Sequence, residues 1–268
     1  MRVSDAIMLV ALSLWGGAVL ADDAPRRVVS INLCTDQLAL QLAAPGQLIS
    51  VTAVARDAQV SPFADLAADI SVNHGGAEEV FRLSPDLVLA SDYTPIATLD
   101  LLRRLGLRVE QFAPEYSFDD IRTNTARMGA LLGQDAGALI ADFDAGLARI
   151  STPTRPIRAV IYGANGFASA GPGLPQAVLD AAGLQNAAAE VMAYSGTLPL
   201  ERLIMLDPDM IITPTPYPGA SNAEGLLRHP AMDKVRPGAG LAGNEWACGT
   251  TAVLRAVQRL AAAREGLE

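Results

Sequence analysis

The sequence has few of the residues on which most enzyme and metal sites depend. Its 268 residues include two cysteines, two histidines and two tryptophans, and aromatic residues amount to 5%. It has no Gly-x-Ser-x-Gly, His-Glu-x-x-His or Gly-x4-Gly-Lys-Ser/Thr motif, which argues against a serine hydrolase, a zinc protease and a P-loop nucleotidase. Two cysteines are too few for a closed zinc site. The composition therefore predicts that the chain is not an enzyme and holds no metal or cofactor of its own.

Positive charge is also scarce. There are 29 acidic and 20 basic residues, which gives a net charge of −9, and nineteen of the basic residues are arginine. Nucleic acid and anionic membrane surfaces repel an acidic chain, so neither is an expected partner. We attribute the shortage of lysine to the composition of the genome and not to a mechanism.

A long apolar run occurs at the beginning of the chain. Residues 6–20 are apolar apart from a serine and two glycines, and Val19-Leu20-Ala21 has the short side chains of a cleavage site. The run is too short and wrongly flanked for a stable membrane span, and it is typical of a secretory signal peptide. We predict that residues 1–21 are removed after Ala21 and that the chain is exported. No cysteine directly follows that point, so a lipid anchor there is not expected.

A phrase of twelve residues occurs twice, 123 positions apart. Residues 78–89 read EEVFRLSPDLVL and residues 201–212 read ERLIMLDPDMII, with the first Glu, one Leu, the Pro and the Asp identical. Each copy predicts a helix that ends before the proline, followed by a short apolar strand that is buried on both faces. Solenoid repeats are much shorter, at roughly 20 to 50 residues. The repeat therefore indicates two similar lobes with a cleft between them.

Strand and helix signals alternate on both sides of a long helical stretch. Alternation of this kind is typical of parallel α/β sheets. Residues 118–150 contain no strand signal, but they carry two apolar stripes at helical spacing, which Gly133 and Gly137 could interrupt. The predicted fold class is α/β, with two similar parallel-sheet lobes joined by a long rigid α-helix and a ligand cleft between them. The predicted ranges are an N-terminal lobe at 22–116, a connecting helical segment at 117–152 and a C-terminal lobe at 153–268.

The two cysteines, Cys34 and Cys248, each lie near a predicted helix start. In the first lobe we expect Thr35 or Asp36 to cap a helix over residues 37–43. Two thiols in an exported chain often form a disulfide, because the compartment is oxidising. The alternatives are free thiols that line the cleft and a thiolate ligand to a bound metal.

Two α/β lobes, a helical connector and a Glu-x4-Leu-x-Pro-Asp phrase in each lobe resemble the periplasmic substrate-binding proteins for iron complexes and vitamin B12. The resemblance covers essentially the whole chain after residue 21, including the Arg-Val-Val-Ser-Ile start at 27–31 and the stretch 171–183. It implies a periplasmic, monomeric protein that captures a metal chelate (a cobalamin-like corrinoid, haem or a ferric siderophore) and delivers it to an ABC import permease. It also implies that the lobes move little on binding.

In that family the Glu of each phrase docks onto arginines of the membrane-embedded permease dimer. The matching positions here are Glu78 and Glu201. Glu–Arg pairs at an interface steer association and fix orientation. The alternative is that each Glu only favours the start of its own helix through the helix dipole.

Ligand residues of parallel α/β lobes are expected on the loops that follow the strands. Aromatic rings at these places suit a planar chelate, which they can stack against. Trp246 is the first candidate, and Tyr93 and Tyr217 are next. The full set of candidates is Asn32, Cys34, Arg56, His74, Tyr93, Tyr162, Phe167, Tyr194, Tyr217 and Trp246.

For each candidate, an ordinary structural role is the alternative to ligand binding. The tyrosines could be half-buried packing residues, and Arg56 could pair with Asp57 instead of an acidic chelate. His74 could coordinate haem iron or cobalt, or bond a backbone carbonyl. The small number of basic candidates favours a corrinoid, or another neutral or porphyrin-like complex, over a siderophore. The alternative function is an exported α/β enzyme that acts on a small molecule in the cleft.

Overall fold

The computed structural model describes residues 24–215, 221–234 and 240–268. The predicted signal peptide at 1–21 and the candidate Tyr217 therefore lie outside the described residues.

The first lobe is a parallel sheet covered by helices on both faces, as predicted. Its strands are β1 (Val28–Ser30), β2 (Leu48–Thr52), β3 (Ser71–Asn73), β4 (Leu87–Ser91) and β5 (Val109–Phe112). Its helices are α1 (Leu33–Leu42), α2 (Ala64–Ala67), α3 (Ala77–Arg82) and α4 (Ile96–Arg104). The sheet order is β3-β2-β1-β4-β5, and every pair in it is parallel.

The continuous apolar run of β4 is explained by burial on both faces. Leu87 and Leu89 belong to one core cluster, whereas Val88 and Ala90 belong to another on the opposite face of the sheet. Successive residues of a strand point to opposite faces, so a strand with a core on each side has no polar face.

The connecting segment is helical as predicted, but it is two helices rather than one. These are α5 (Phe118–Leu132) and α6 (Gly137–Ala148). Gly133 ends α5 in a left-handed conformation with φ +69°, which glycine adopts without steric cost. The chain then turns back on itself.

Helices α5 and α6 pack side by side and reach both lobes. The Phe118 and Phe143 rings meet edge-on with centroids 5.5 Å apart, and Arg122 pairs with Asp144 at 2.7 Å. Ile121 and Phe143 belong to the core of the second lobe. The other ends of the two helices belong to the first lobe, through Met128, Leu132 and Ala136. The connector thus contributes side chains to the cores of both lobes.

The second lobe has a smaller parallel sheet and a separate antiparallel pair of two-residue strands. Its strands are β6 (Arg158–Ile161), β7 (Phe167–Ala168), β8 (Gln185–Asn186), β9 (Gly196–Thr197) and β10 (Met210–Ile212). Its helices are α7 (Leu174–Ala181), α8 (Leu200–Leu206) and α9 (Val253–Glu265). The parallel sheet has the order β10-β6-β8, and β7 pairs with β9. The exact boundaries of the lobes stay a prediction.

Both copies of the repeated phrase fold as helix, turn and buried strand, as predicted. The copies are α3 with β4 and α8 with β10. In both, the residue before the proline has a positive φ: 47° at Ser84 and 44° at Asp207. The next strand then pairs in the same register, Val28 with Leu87 in one lobe and Ala159 with Met210 in the other.

An arginine fastens the end of the helix in each copy. Arg27 donates to the carbonyl oxygens of Leu83 and Ser84 at 2.6 and 3.0 Å. Arg158 donates to those of Leu206 and Asp207 at 2.9 and 3.1 Å. Carbonyls at a helix end have no partner within the helix, so each arginine satisfies groups that the positive-φ turn leaves free.

The aspartate of each copy fastens the start of the neighbouring strand. Asp86 accepts hydrogen bonds from the backbone N–H groups of Arg26 and Arg27 at 2.7 and 3.0 Å. Asp209 accepts one from the N–H of Arg158 at 2.8 Å. The shared Leu and Pro also pack against their lobes, partly and fully buried, so the fold accounts for the Leu-x-Pro-Asp of both copies. It does not account for the shared glutamate.

Candidate ligand cleft

One segment of the second lobe, residues 244–255, joins the two lobes along one side of the cleft. We call it the seam. Its Cys248 forms a disulfide with Cys34 at the start of α1, with an S–S distance of 2.15 Å and Cα atoms 5.2 Å apart. Polar contacts lie on both sides of the disulfide: the Asn244 amide donates to the Ala58 carbonyl at 2.7 Å. The Thr251 hydroxyl donates to the Gln41 side chain at 2.6 Å.

A cavity of about 400 Å³ opens between the lobes beside the disulfide. Its walls come from the loops after β1, β4 and β5, from the start of α7 and from the seam. The side chains and backbone that line it belong to Asn32, Cys34, Thr35, Leu38, Ser91, Tyr93, Phe112, Ala113, Pro114, Glu115, Tyr116, Pro172, Gly173, Leu174, Pro175, Trp246, Ala247, Cys248 and Gly249. Among these lining residues Glu115 is the single charged side chain. The size is that of a small-molecule site.

Glu115 contacts both the connector and the seam. Its Oε1 accepts a hydrogen bond from the Asn124 amide at 2.6 Å, and Gly249 of the seam packs directly against its side chain. Burial raises the pKa of Glu115 above its usual range. A Cβ atom at Gly249 would lie 2.2 Å from the Glu115 Cβ, so this close approach requires glycine.

Trp246 separates this cavity from a second one of about 580 Å³ and lines both. Its indole Nε1 is buried and has no hydrogen-bond partner among the described residues. The second cavity contains an arginine, Arg259, whose guanidinium lies 2.5 and 3.0 Å from the two carboxylate oxygens of Glu245. That cation is neutralised by a two-point ion pair.

Two tyrosines stand at the mouth of the first cavity. Tyr93 follows β4 and is 74% exposed, and Tyr116 follows β5 and is also exposed. The neighbouring Tyr93 phenol raises the pKa of Tyr116. Two rings and two hydroxyl groups are thus available to a ligand at the entrance.

Asn32 lines the cavity and also caps α1. Its side-chain oxygen accepts a hydrogen bond from the N–H of Cys34 at 2.9 Å. The helix therefore begins at Leu33, four residues earlier than predicted, and the expected cap at Thr35 or Asp36 is wrong. Asparagine in an extended conformation is among the strongest N-caps, so the helix begins as soon as such a residue is available.

Several candidates do not reach either cavity. Tyr162 is fully buried in the core of the second lobe, and its hydroxyl donates to the Leu198 carbonyl at 3.1 Å. Arg56 donates to the carbonyl oxygens of Ala67 and Ile70, and so braces α2 instead of facing the cleft.

Phe167 and Tyr194 are exposed and line neither of the two cavities. His74 is also exposed, and its backbone N–H donates to Glu79 at 2.8 Å. It lines a separate shallow cavity with Asn32 and Tyr93, outside the main one.

Sequence reasoning missed Glu115, Tyr116 and the segment 172–175. Glu115 and Tyr116 follow β5, so the rule that favours loops after strands applied to them as well. They lie just before the connector, where no repeat or other motif distinguishes them from an ordinary loop. Residues 172–175 begin α7 and carry no chemical signal beyond two prolines and a glycine.

The described residues contain no group of three or more His, Cys, Asp or Glu side chains placed to hold a metal ion. None of the described helices is both long enough and apolar enough to cross a membrane.

Two α/β lobes with a cavity between them have the architecture of a bilobed solute-binding protein. The family model described as "Periplasmic binding protein" matches residues 28–237, and the chain belongs to this family. Membership implies an extracytoplasmic location and a solute-binding role, which sets aside the alternative of an exported enzyme.

A curated relative is the cobalamin-binding protein of Halobacterium salinarum. It is 31% identical over 212 residues, which cover 73% of this chain and 56% of that protein. The chain thus spans about half the length of the curated relatives it matches.

Solved structures show the same fold. The periplasmic haem-binding protein HutB of Vibrio cholerae superposes with a TM-score of 0.73 at 19% identity, covering 88% of this chain and 98% of that one. The vitamin B12-binding protein BtuF of Vibrio cholerae gives 0.64 at 19% identity, covering 91% and 98%. The haem-binding protein RhuT of Roseiflexus sp. RS-1 gives 0.67 at 18% identity, covering 90% and 98%.

Proposed function

We propose that this protein captures a cobalamin-like corrinoid in the cavity between its lobes and delivers it to an ABC import permease. The observation that carries the choice of ligand is the charge of the cavity wall. Glu115 is the single charged lining residue there, and the other polar groups are neutral amides, hydroxyls and phenols.

This wall suits a corrinoid better than haem or a ferric siderophore. Haem carries two carboxylates and most ferric siderophores are anionic, so each would place negative charge near Glu115 without a cation to offset it. The rim of cobalamin carries neutral amide groups, whose N–H donors match a carboxylate, the Asn32 oxygen and the tyrosine hydroxyls. The cobalamin-binding relative from Halobacterium salinarum supports the same choice.

The aromatic groups supply the apolar part of the contact. Trp246 forms the wall between the two cavities, and Tyr93 and Tyr116 form the entrance. The flat faces of such rings stack against a macrocycle and bury a large area. With cavities on both sides of Trp246, a ligand larger than the first cavity can extend into the second.

The test is native mass spectrometry of the purified protein with cyanocobalamin, haem and a set of ferric siderophores at equal concentrations. We expect a 1:1 complex with cyanocobalamin and little with the others. Trp246→Ala should lose most of that complex, whereas Phe167→Ala, which removes an exposed ring outside both cavities, should keep it. A stable complex with haem and none with cyanocobalamin would contradict the proposed ligand.

Delivery to the permease rests on Glu78 and Glu201. Both carboxylates are exposed in the first turn of their helices, and neither makes a hydrogen bond or an ion pair within the described residues. The fold explains the other identical residues of the repeat but not these two. A matched acid on each lobe suits a permease dimer that offers an arginine from each half.

Replacement of both glutamates by alanine tests docking onto the permease independently of ligand binding. Glu78→Ala/Glu201→Ala should keep the affinity for cobalamin and lose transport, because neither residue lines the cavity. Asp142→Ala, which removes an exposed acid on α6, is the control and should transport normally. Parallel loss of affinity and transport would show that the glutamates do more than dock.

Two further parts of the proposal concern the mature protein. We infer export with cleavage after Ala21, which N-terminal sequencing of the exported protein tests directly. We also infer that the protein acts as a monomer, which light scattering of the purified protein tests.

A further inference from the structure

The two helix faces that carry Glu78 and Glu201 each carry a large apolar side chain as well. Phe81 is 46% exposed and Ile204 is 42% exposed, and each lies three residues after its glutamate in the repeat. Residues three apart on a helix lie on the same face. Each lobe therefore presents a carboxylate beside an apolar side chain. We call each pair a docking patch: Glu78 with Phe81, and Glu201 with Ile204.

The burial pattern shows that α3 and α8 sit on their lobes in the same orientation. Ala77 and Val80 are buried in the first lobe, and at the matching positions Leu200 and Leu203 are buried in the second. Since the buried positions match, the exposed positions match too. The two docking patches are thus equivalent surfaces of the two lobes.

A single exposed apolar residue is common on a soluble protein and needs no explanation. The docking patches differ because two lobes of different sequence keep the same pair of side-chain types at the same place. Their exposed neighbours are not kept: the residue after the apolar side chain is Arg82 in one lobe and Met205 in the other. The retained feature is the acid with an apolar residue one helical turn later.

We propose that Phe81 and Ile204 are apolar anchors that dock together with the glutamates onto two equivalent patches of the permease. Each of those patches would hold a cation beside an apolar pocket. The inference rests on the proposed delivery to a permease and supplies the second component of that contact. A partner built from two copies of one subunit presents the same patch twice. Charge pairs steer the approach, and a buried apolar side chain adds affinity at the centre of the contact.

The test is binding of the cobalamin-loaded protein to the cobalamin ABC importer of the same organism, purified and reconstituted in lipid nanodiscs. Phe81→Gln/Ile204→Gln is compared with the wild type and with Glu78→Ala/Glu201→Ala. Leu66→Gln is the matched control, because Leu66 is 55% exposed on α2 and belongs to neither docking patch. Glutamine keeps helix propensity close to that of leucine, and thermal unfolding verifies each fold.

The apolar double variant should bind the importer at least about tenfold more weakly than the wild type, with an unchanged affinity for cobalamin. Each single substitution should give an intermediate loss, and Leu66→Gln should match the wild type. Binding of the apolar double variant within about twofold of the wild type, while the glutamate variant has lost binding, would overturn the anchors and leave delivery intact. Unchanged binding in both double variants would overturn the anchors and the docking role of the glutamates together.

Discussion

At the level of single residues, the first cavity is lined by apolar, aromatic and neutral polar groups, with Glu115 as its one carboxylate. Two of its important members, Trp246 and Tyr93, could be predicted because they are scarce residue types placed after strands. Tyr162 satisfied the same rule but turned into the core, because its hydroxyl finds the Leu198 carbonyl there. A sequence shows which residues follow a strand, but not to which side each one turns.

Glu115 should decide which chelates the cleft accepts. Glu115→Gln removes the negative charge and keeps an oxygen for the Asn124 amide, so anionic ligands are no longer repelled. We expect the affinity for haem to rise at least about fivefold, measured by absorbance titration. Asp142→Asn, which removes a charge from a residue that does not line the cavity, should leave the haem affinity unchanged. An unchanged haem affinity in Glu115→Gln would show that the carboxylate does not select the ligand.

Asp36 is a buried acid that should make stability depend on pH. Its Oδ2 accepts from the Thr52 N–H at 3.1 Å and from the Thr52 hydroxyl, but its Oδ1 is buried without a partner among the described residues. Burial raises the pKa of Asp36 from 3.8 to about 7. A raised pKa means that its contribution to stability is complete below the unfolded pKa and is lost as the pH rises through about 7.

Asp36→Asn should flatten this dependence. Relative to the variant, the wild type should lose up to roughly 4 kcal/mol of unfolding free energy between about pH 4 and about pH 8, at about 1.36 kcal/mol per pKa unit. Urea denaturation at both pH values measures it. Identical pH profiles for wild type and variant would mean that Asp36 is not protonated in the folded protein.

At the level of secondary structure, the buried core strands were predictable, whereas the two-residue strands β7, β8 and β9 and the helix ends were not. A continuous apolar run such as residues 87–90 indicates a strand that is buried on both faces, and this pattern is visible in the sequence alone. The start of α1 depends on a single hydrogen bond, which the Asn32 side chain accepts from the N–H of Cys34. The break in the connector depends on the left-handed φ of Gly133. Glycine can adopt helical or left-handed dihedral angles, so the sequence does not decide between a continuous helix and a break.

The start of α5 has a capping box that should stabilise the connector. The Ser117 hydroxyl accepts from the N–H of Asp120 at 3.2 Å, and the Asp120 carboxylate accepts from the N–H of Ser117 at 2.9 Å. Ser117→Ala should lower the unfolding free energy by about 1 kcal/mol. Thr123→Ala, an exposed change inside the same helix, should be neutral or slightly stabilising. Equal stability of the two variants would refute the cap.

At the level of the whole molecule, the two lobes are held together more firmly than a hinge would hold them. The connector contributes side chains to the cores of both lobes. The seam adds the disulfide and two polar contacts across the cleft. The sequence predicted two lobes and a rigid connection between them. It left the disulfide undecided, because the distance between Cys34 and Cys248 depends on how the lobes pack.

Removal of the disulfide should cost stability and loosen the cleft. The bond closes a loop of 214 residues, and its loss should lower the unfolding free energy by about 2 to 5 kcal/mol. We expect Cys34→Ser/Cys248→Ser to compact more on cobalamin binding than the wild type, as measured by small-angle scattering. The wild type in reductant should behave like the variant. A large compaction of the oxidised wild type would contradict a rigid frame.

The most direct test of the central claim is the fluorescence of Trp246 in the exported protein, where it is the lone tryptophan after residue 21. The emission is followed while cyanocobalamin, and separately haem, is added, with free tryptophan as the control for absorption by the ligand. We predict saturable quenching by one equivalent of cyanocobalamin, at a concentration at least about tenfold below that needed for haem. Tight quenching by haem with no response to cyanocobalamin, or cyanocobalamin binding that leaves the emission of Trp246 unchanged, would contradict the account.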